Sequence, residues 1–467
     1  MRLGLRRPRA ARLRDPRAGA RRGRRPHRGS GAAGRRGARA MSAGWGFETR
    51  QVHAGAVIDS EAGARVTPIY QSAGYVFESF DDGALRFAGQ SAQRAYSRND
   101  NPTNVVAARR IADLEGGVDG VLVASGQAAI AAALQALARA GDHVLTTDRL
   151  YEGTREMVRG SLARAGLEFE ALPIDADEER WVAAVRPTTR AIYAESIANP
   201  LGEVADLALL GRVAARTGVP LVVDNTVATP YLCRPLEHGA AVVIHSTSKW
   251  LGGHGSVIGG AIVWGDGFAW SPERFPHLHE PRPHGAPSFA ARFGGSAYGA
   301  HLRAVTVLEH GPTFPPTSAF LLLHGIETLS LRMERHVANA HAVLAALEPH
   351  PAVARVHYPG AVGDARADVA QRMLPRGAGS IVSIELHGGR DAARAFLDRL
   401  RLVSQMTHIG DVRSLAIHTG STIHGKLEEH ERLALGITPG LVRISVGIER
   451  ADDIVADLQQ ALGGLEP

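Results

Sequence analysis

The alternation of short apolar runs with helical stretches is the feature that most constrains the fold of this chain. From about residue 116, apolar runs occur at 121–124, 143–147, 169–173, 191–195, 221–223, 242–245 and 260–263, and most are separated by segments of helical character. Strands that alternate with helices form parallel sheets covered on both faces. The pattern therefore predicts a large α/β domain with a mainly parallel seven-stranded sheet.

Polar side chains follow three of these runs. Asn199, Asp224 and Lys249 each lie just past the end of an apolar run. In parallel sheets, ligands bind at the carboxyl ends of the strands. This edge of the sheet is therefore the predicted functional site.

The second half of the chain is organised differently. Residues 266–316 are rich in Pro, Gly, His and Phe, which predicts a long insertion or active-site loop that ends in a helix from about residue 297. A long helical pattern begins at Ala319. Strand-like runs at 380–385, 403–406 and 442–444, with helix-like stretches at 392–400 and 451–462, predict a smaller α+β domain.

The first 40 residues hold 15 of the arginines and a single acidic residue, Asp15. Such a segment cannot bury enough apolar surface to fold. It could be a nucleic-acid-binding arm, a transit peptide, or an upstream extension with translation starting at Met41; the last interpretation is favoured, since the segment has no aromatic residues and no apolar face.

Two further features of the sequence exclude particular kinds of site and segment. Cys233 is the single cysteine, so an intramolecular disulfide and a cysteine-based zinc site are excluded. No 18 apolar residues run together, so no transmembrane helix is expected.

Lys249 is one of two lysines in the chain and follows an apolar run. A lysine at a buried strand end is costly unless it is neutralised or bonded. A Schiff base with an aldehyde cofactor would meet this condition. Ser246 and Ser248 would face one way in extended chain and suit phosphate oxygens. The alternative is an exposed lysine in a turn.

Asp224 ends the preceding apolar run, where it could cap a helix, bind a metal or pair with a protonated pyridine nitrogen. Ser125, Gly126 and Gln127 open a helix, whose N-terminal amides could bind a phosphate, although many α/β loops look like this one. Tyr151 could stack on a planar ring or simply pack.

Arg443 lies on a strand-like run of the second domain. An arginine there could clamp a substrate carboxylate with two hydrogen bonds, or form a surface ion pair.

Together these segments resemble the Cys/Met-metabolism family of pyridoxal-phosphate (PLP) enzymes, from Thr49 to the C-terminus. The motifs that carry the resemblance are Tyr96-Ser97-Arg98, Asn101-Pro102-Thr103, Leu114-Glu115-Gly116-Gly117, Asp224-Asn225-Thr226 and Ser246-Thr247-Ser248-Lys249. Within the family the chain is most similar to O-acetylhomoserine sulfhydrylases, because of Gln127, the insertion after Lys249, and segment 319–334.

The resemblance implies fold type I, the aspartate-aminotransferase-like α/β fold. It divides the chain into a disordered extension at 1–40, an N-terminal arm at 41–105 that contacts a neighbouring subunit, a PLP-binding large domain at 106–320 and a small domain at 321–467.

The resemblance also implies residue roles. Lys249 would hold PLP and shuttle protons, Asp224 would hold the pyridine nitrogen, and Tyr151 would stack on the ring and assist the leaving group. Further cofactor contacts are expected from Ser125, Gly126, Gln127, Asn199, Thr226, Ser246 and Ser248, and across the subunit interface from Tyr96 and Arg98. Ser414 and Arg443 would bind the substrate carboxylate, and no metal is expected.

The implied activity is γ-replacement on O-acetyl-L-homoserine with sulfide or a small thiol, giving homocysteine or methionine and acetate. Cystathionine γ-synthase or methionine γ-lyase activity is the alternative, and nucleic-acid binding through the basic tail is an alternative of another class. A cytoplasmic homotetramer without nucleic-acid or membrane partners is expected. Departures from the family pattern at Asn99, at Thr419-Gly420 and at 282–285 bear on the choice of thiol or ester.

Overall fold

The computed structural model describes residues 44–59, 61–91 and 93–465, so the predicted extension at 1–40 lies outside the described residues. The strands are β1 Asp119–Val123, β2 His143–Thr147, β3 Glu168–Leu172, β4 Thr189–Glu195, β5 Leu221–Asp224, β6 Val242–Ser246, β7 Gly260–Trp264, β8 Val353–His357, β9 Ile381–Leu386, β10 Ser404–Gln405, β11 Leu415–His418 and β12 Leu441–Ser445.

The helices are α1 Phe47–His53, α2 Phe80–Phe87, α3 Pro102–Glu115, α4 Gly126–Gln135, α5 Glu152–Arg159, α6 Ser161–Arg164, α7 Glu178–Ala184, α8 Leu207–Thr217, α9 Thr229–Leu232, α10 Pro276–His279, α11 Phe289–Phe293, α12 Ala297–His301, α13 Leu308–His310, α14 Pro316–Glu327, α15 Leu329–Leu347, α16 Ala367–Met373, α17 Gly389–Arg399, α18 Glu429–Ala434 and α19 Ala451–Leu462. Shorter 3₁₀ turns and a π-helical turn at Leu302–Val307 connect some of them.

The large sheet has seven strands in the order β1-β7-β6-β5-β4-β2-β3. Strands β6, β5, β4, β2 and β3 run parallel, whereas β7 is antiparallel to both β1 and β6. The connection from β6 to β7 contains no helix, so the chain turns back beside β6 instead of crossing over the sheet. The predicted mainly parallel sheet is confirmed. The antiparallel direction of β7 could not be predicted from the apolar runs.

Consecutive residues of the central strands pack into two different cores. On β5, Leu221 and Val223 lie in the core under α3, with Ile111, while Val222 lies in the core under α4, with Ile130. Side chains alternate between the two faces of a strand. Because both faces are covered by helices, the strand reads as a continuous apolar run and not as an alternating one.

The insertion at 266–316 packs against the α4 face of the sheet. Phe275, Phe289 and Tyr298 are buried in that core. The Tyr298 ring stacks on Trp270 with centroids 5.2 Å apart, and its hydroxyl donates to the Ala133 carbonyl. The segment is thus an integral part of the large domain, and it ends in helical structure as predicted.

The small domain is built on a five-stranded sheet with the order β10-β11-β12-β9-β8. Helices α15, α17 and α19 pack against it around Phe396, Ile384 and Leu458. The long helical pattern from Ala319 is broken at Thr328, which separates α14 from α15. Helices α3 and α14 run across residues 105 and 320, where the sequence placed domain boundaries. Within the described residues, no helix is both long and apolar enough to cross a membrane.

Candidate active site

A cavity of about 260 Å³ lies where β4, β5 and β6 end, at the predicted edge of the large sheet. The small domain closes its other side with segment 407–409 and with Arg443 on β12. The cavity therefore has two walls, which we call the large-domain wall and the small-domain wall.

Lys249 lies on the large-domain wall, in the turn that follows β6. Its Nζ is 3.1 Å from Nδ1 of His408, which lies on the opposite wall. Burial, helped by the positive charge of Arg443, lowers the pKa of Lys249 to about 8. A substantial fraction of its amine is therefore neutral near physiological pH, as nucleophilic and basic chemistry require.

Asp224 ends β5 and points its carboxylate at the same cavity, with Oδ1 accepting from the backbone N–H of Thr226. Glu195 ends the neighbouring strand β4, and its Oε1 accepts from the backbone N–H of Tyr151 at 2.6 Å. Burial raises the pKa of both carboxyls, and for Glu195 the charge of Asp224 adds to the effect. A cationic group bound between these side chains would restore the charged form of Asp224.

The N-terminus of α4 faces the cavity through Ser125, Gly126 and Gln127. Ser125 is the N-cap, and its hydroxyl accepts from the N–H of Ala128, which begins the helix at this point. A Cβ at Gly126 would lie 2.8 Å from Cβ of Ser246, so only glycine lets the helix approach β6 this closely. The uncapped amides of this turn are the kind of group that binds a phosphate or another anion.

Three hydroxyl residues extend this end of the cavity. Thr226 accepts the backbone N–H of Ser246 at its Oγ1, which ties the ends of β5 and β6 together. Ser248 accepts the N–H of Gly259 at 3.0 Å. Ser246 and Ser248 both line the cavity, as the spacing predicted.

Tyr151 caps the start of α5 and is 42% exposed at the mouth of the cavity. Burial of its inner part raises the pKa of the phenol, so the hydroxyl stays protonated at neutral pH. The phenol interacts electrostatically with Arg443 and Glu195, which also line the cavity.

Arg443 is 2% exposed and comes from the small-domain sheet. One of its terminal nitrogens donates to Oδ1 of Asn199, and the other donates to the Thr407 carbonyl at 2.9 Å. Its Nε is buried without a partner among the described residues. An arginine held in this way is oriented in advance for a carboxylate.

Ser414 does not join the cavity, so the expected contact between its hydroxyl and a substrate carboxylate is not made. It is fully buried, its hydroxyl donates to Glu449 and accepts the N–H of Gly447, and its own N–H donates to Glu449. A substrate carboxylate would be repelled by the Glu449 carboxylate. Ser414 fastens the start of β11 to the loop after β12 instead.

Tyr96 and Arg98 also lie away from the Lys249 cavity of their own chain. The Arg98 guanidinium lies over the Tyr96 ring and donates to the Leu308 carbonyl, beside a separate polar cavity of about 230 Å³.

Besides the apolar residues Ile130, Ile197 and Val227, two parts of the cavity lining were not predicted as site residues. Glu195 ends an apolar run, the same signal that singled out Asp224, and could have been found by it. Thr407, His408 and Ile409 come from the small domain, and no local pattern connects them to Lys249. In the described residues, no group of three or more His, Cys, Asp or Glu side chains could hold a metal ion.

Comparison with known proteins agrees with this geometry. The family model for Cys/Met metabolism PLP-dependent enzymes matches residues 48–463. The chain belongs to this family. Homocysteine synthase of Schizosaccharomyces pombe is 42% identical, with 89% of this chain and 98% of the relative covered. O-acetyl-L-homoserine sulfhydrylase of Corynebacterium glutamicum is also 42% identical, covering 89% of this chain and 96% of its own.

Solved structures give the same result. An O-acetylhomoserine (thiol)-lyase structure from Campylobacter jejuni, which carries a pyridoxyl-lysine, has a TM-score of 0.86 at 33% identity and covers 90% of this chain and 100% of its own. Cystathionine γ-lyase of Lactobacillus plantarum, complexed with L-serine, has a TM-score of 0.77 at 32% identity, with 90% and 99% covered. The predicted fold type I and family are thereby confirmed.

PLP is the cofactor of this family, and the cavity fits it. An amine that can capture an aldehyde, a buried carboxylate for a ring nitrogen and a helix N-terminus for a phosphate lie around one space. The close approach that Gly126 permits brings the N-terminus of α4 next to Ser246. Lys249, Asp224 and the α4 N-terminus would hold the three ends of the molecule.

Proposed function

We propose that this enzyme catalyses γ-replacement on O-acetyl-L-homoserine, with sulfide or a small thiol as the acceptor, giving L-homocysteine or methionine and acetate. The observation that carries the proposal is that Lys249, on the large-domain wall, and Arg443, on the small-domain wall, line the same cavity. The similarity along nearly the whole length of relatives named sulfhydrylases and homocysteine synthases supports the choice of substrate.

Bound PLP supplies an aldehyde carbon and an electron-withdrawing ring that accepts the electron pair left behind by a departing proton. Asp224 would keep the ring nitrogen protonated, because its buried carboxylate is stabilised in the charged form by a cationic partner. Tyr151 would cover the ring face at the mouth of the cavity.

Arg443 fixes the substrate by its carboxylate, with Asn199 holding the guanidinium in place. With Lys249 released by the substrate amine, the Lys249 amine would take the proton from Cα and then one from Cβ. Acetate leaves from Cγ, the sulfur atom of the acceptor forms a bond to Cγ, and Lys249 returns the protons to carbon.

Product analysis tests the reaction. Purified protein with PLP and O-acetyl-L-homoserine is given sulfide, cysteine or no acceptor. Homocysteine formed only with sulfide is the expected result. Cystathionine formed with cysteine would instead assign cystathionine γ-synthase activity, and 2-oxobutanoate formed without an acceptor would assign lyase activity. The structural similarity to cystathionine γ-lyase is the reason to test for the lyase.

A second copy of the chain is also part of the proposal. The N-terminal arm exposes Val76, Phe80 and Phe87 by 80% or more, which is unusual for apolar side chains in a folded protein. In a homo-oligomer, proposed as a tetramer, the neighbouring subunit would cover this surface. Tyr96 and Arg98 would then reach the cofactor phosphate of the neighbour.

Mixing two inactive variants tests this arrangement. A hybrid of Lys249→Ala and Arg98→Ala subunits contains one complete site if Arg98 acts across the interface, and activity should return. If Arg98 acts within its own chain, both sites of the hybrid are damaged and no activity returns. Light scattering measures the subunit number, and cell fractionation tests the expected cytoplasmic location.

A further inference from the structure

The strongest unassigned feature of the cavity is His408, which faces Lys249 from the small-domain wall. Its Nδ1 is 3.1 Å from Lys249 Nζ, and its Nε2 is buried without a partner among the described residues. The ring therefore has one nitrogen in contact with the catalytic amine and the other free for a ligand.

The backbone around His408 holds the ring in this place. Arg443 donates to the His408 carbonyl as well as to that of Thr407. Gly410 has φ +74°, and a Cβ there would lie 2.6 Å from the ring of Trp250, the residue after Lys249. The N–H of Gly410 also donates to Ser445 Oγ on β12. Segment 407–410 thus packs closely against the turn that carries Lys249.

The electrostatics keep the imidazole neutral. Burial and the positive charge of Lys249 lower the pKa of His408 to about 4; Asp411 and a backbone hydrogen bond to Ser248 raise it, and Arg443 lowers it. A neutral imidazole that accepts at Nδ1 carries its hydrogen on Nε2. Such a ring accepts an N–H from Lys249 and can donate its own N–H into the cavity.

We propose that His408 is a positioning residue, which holds the freed Lys249 amine at the reacting carbons through Nδ1 and donates from Nε2–H to an oxygen of the bound amino acid. This inference rests on the proposed PLP chemistry but not on the choice of acyl group or sulfur donor. The ligand oxygen belongs to the carboxylate, since Arg443 lies against the same segment.

Three substitutions distinguish the roles of the two ring nitrogens of His408. His408→Asn can place an amide oxygen near the Nδ1 position, His408→Gln can place a donor near the Nε2 position, and His408→Phe keeps the ring shape without either. Met406→Leu, in an exposed neighbour of the same segment, is the control. Circular dichroism establishes that each variant is folded.

The first readout uses apo-protein and added PLP, without substrate. The rate of covalent PLP capture is followed against pH by the absorbance of the lysine adduct. Loss of the Nδ1 contact removes a hydrogen bond that favours the charged form of Lys249. The pH midpoint of the capture rate should therefore fall by about one pH unit in His408→Phe and His408→Gln. It should stay near the parent value in His408→Asn and in the control.

The second readout is exchange of the Cα proton of L-alanine with deuterated water by the loaded enzyme, which needs neither a leaving group nor a thiol. The exchange rate should fall about tenfold or more in His408→Phe and stay within about threefold of the parent in His408→Asn. A failed sulfhydrylase assay with this exchange intact would overturn the proposed reaction and leave the role of His408 standing.

Two results would overturn the inference. One is a His408→Phe enzyme that captures PLP with the parent pH profile and exchanges the proton at the parent rate. The other, which does not depend on any variant folding, is histidine ¹⁵N NMR of the parent apo-protein that places the His408 proton on Nδ1.

Discussion

The large-domain wall of the cavity takes its functional side chains from the ends of adjacent strands, whereas the small-domain wall takes them from two distant stretches of chain. Glu195 and Asp224 end β4 and β5, and Lys249 lies in the turn after β6. Segment 407–409 and Arg443 come together because β11 pairs with both β10 and β12. In the proposed function, the first wall would bind the cofactor, and the second would bind the substrate and hold the freed lysine amine.

Removing the amine should have the largest effect and should disable both walls. Lys249→Ala is expected to abolish the absorbance of the lysine–PLP adduct and to lower kcat/KM by about 10³-fold, because general acid–base catalysis is lost. Lys426→Ala is the matched control, since that lysine is exposed and paired with Glu156 on the surface. A Lys249→Ala enzyme that keeps a tenth of the activity would refute the assignment.

Changing Arg443 should damage the small-domain wall alone. Arg443→Lys keeps the charge but not the planar two-hydrogen-bond geometry, so kcat/KM for O-acetyl-L-homoserine should fall about 100-fold. PLP content, measured by absorbance, should match the parent. Loss of PLP together with activity would mean that the two walls are not separable.

The contrast between the walls also explains which residues could be predicted. All seven apolar runs correspond to strands of the large sheet. The central strands are buried on both faces and need continuous apolar sequence, whereas β3 lies at the sheet edge and is partly exposed. Asp224 and Lys249 could be found since Asp224 is the last residue of β5 and Lys249 lies in the turn after β6. Ser414 was expected at the substrate carboxylate, yet its hydroxyl is bound to Glu449, a contact that depends on tertiary packing.

Other elements gave no usable signal. Strand β8 lies at the edge of the small sheet and carries exposed or half-buried residues, among them Arg355, so it has no apolar run. His408 meets Lys249 across 159 positions of sequence, and only the folded arrangement of two domains brings them together. Local sequence pattern therefore predicts the residues of the large-domain wall better than those of the small-domain wall.

A smaller effect is expected where α4 meets β6 on the large-domain wall. Gly126→Ala places a Cβ 2.8 Å from Ser246, so the helix N-terminus must shift away from the phosphate position. PLP affinity should weaken about tenfold, which corresponds to about 1.4 kcal/mol, within the range for overpacking. Titration of apo-protein with PLP measures it. Gly267→Ala, where an added Cβ meets nothing within 4 Å, should leave the affinity unchanged.

The smallest effect concerns the pH at which apo-protein captures PLP, and it tests whether the two walls act on one group. Capture requires neutral Lys249, whose pKa is lowered to about 8 by burial and by Arg443. Below this pH the amine is mostly charged, so the rate should rise about fivefold from pH 7 to pH 8 and level off above it. A free lysine amine in solution should keep gaining up to about pH 10.4.

Substitution of Arg443 then distinguishes the two causes. In Arg443→Met the positive charge of the small-domain wall is gone, so the Lys249 pKa and the capture midpoint should rise. In Arg443→Lys the charge remains and the midpoint should stay close to that of the parent. If neither variant moves the midpoint, burial on the large-domain wall alone sets the pKa of Lys249, and the walls act independently on the amine.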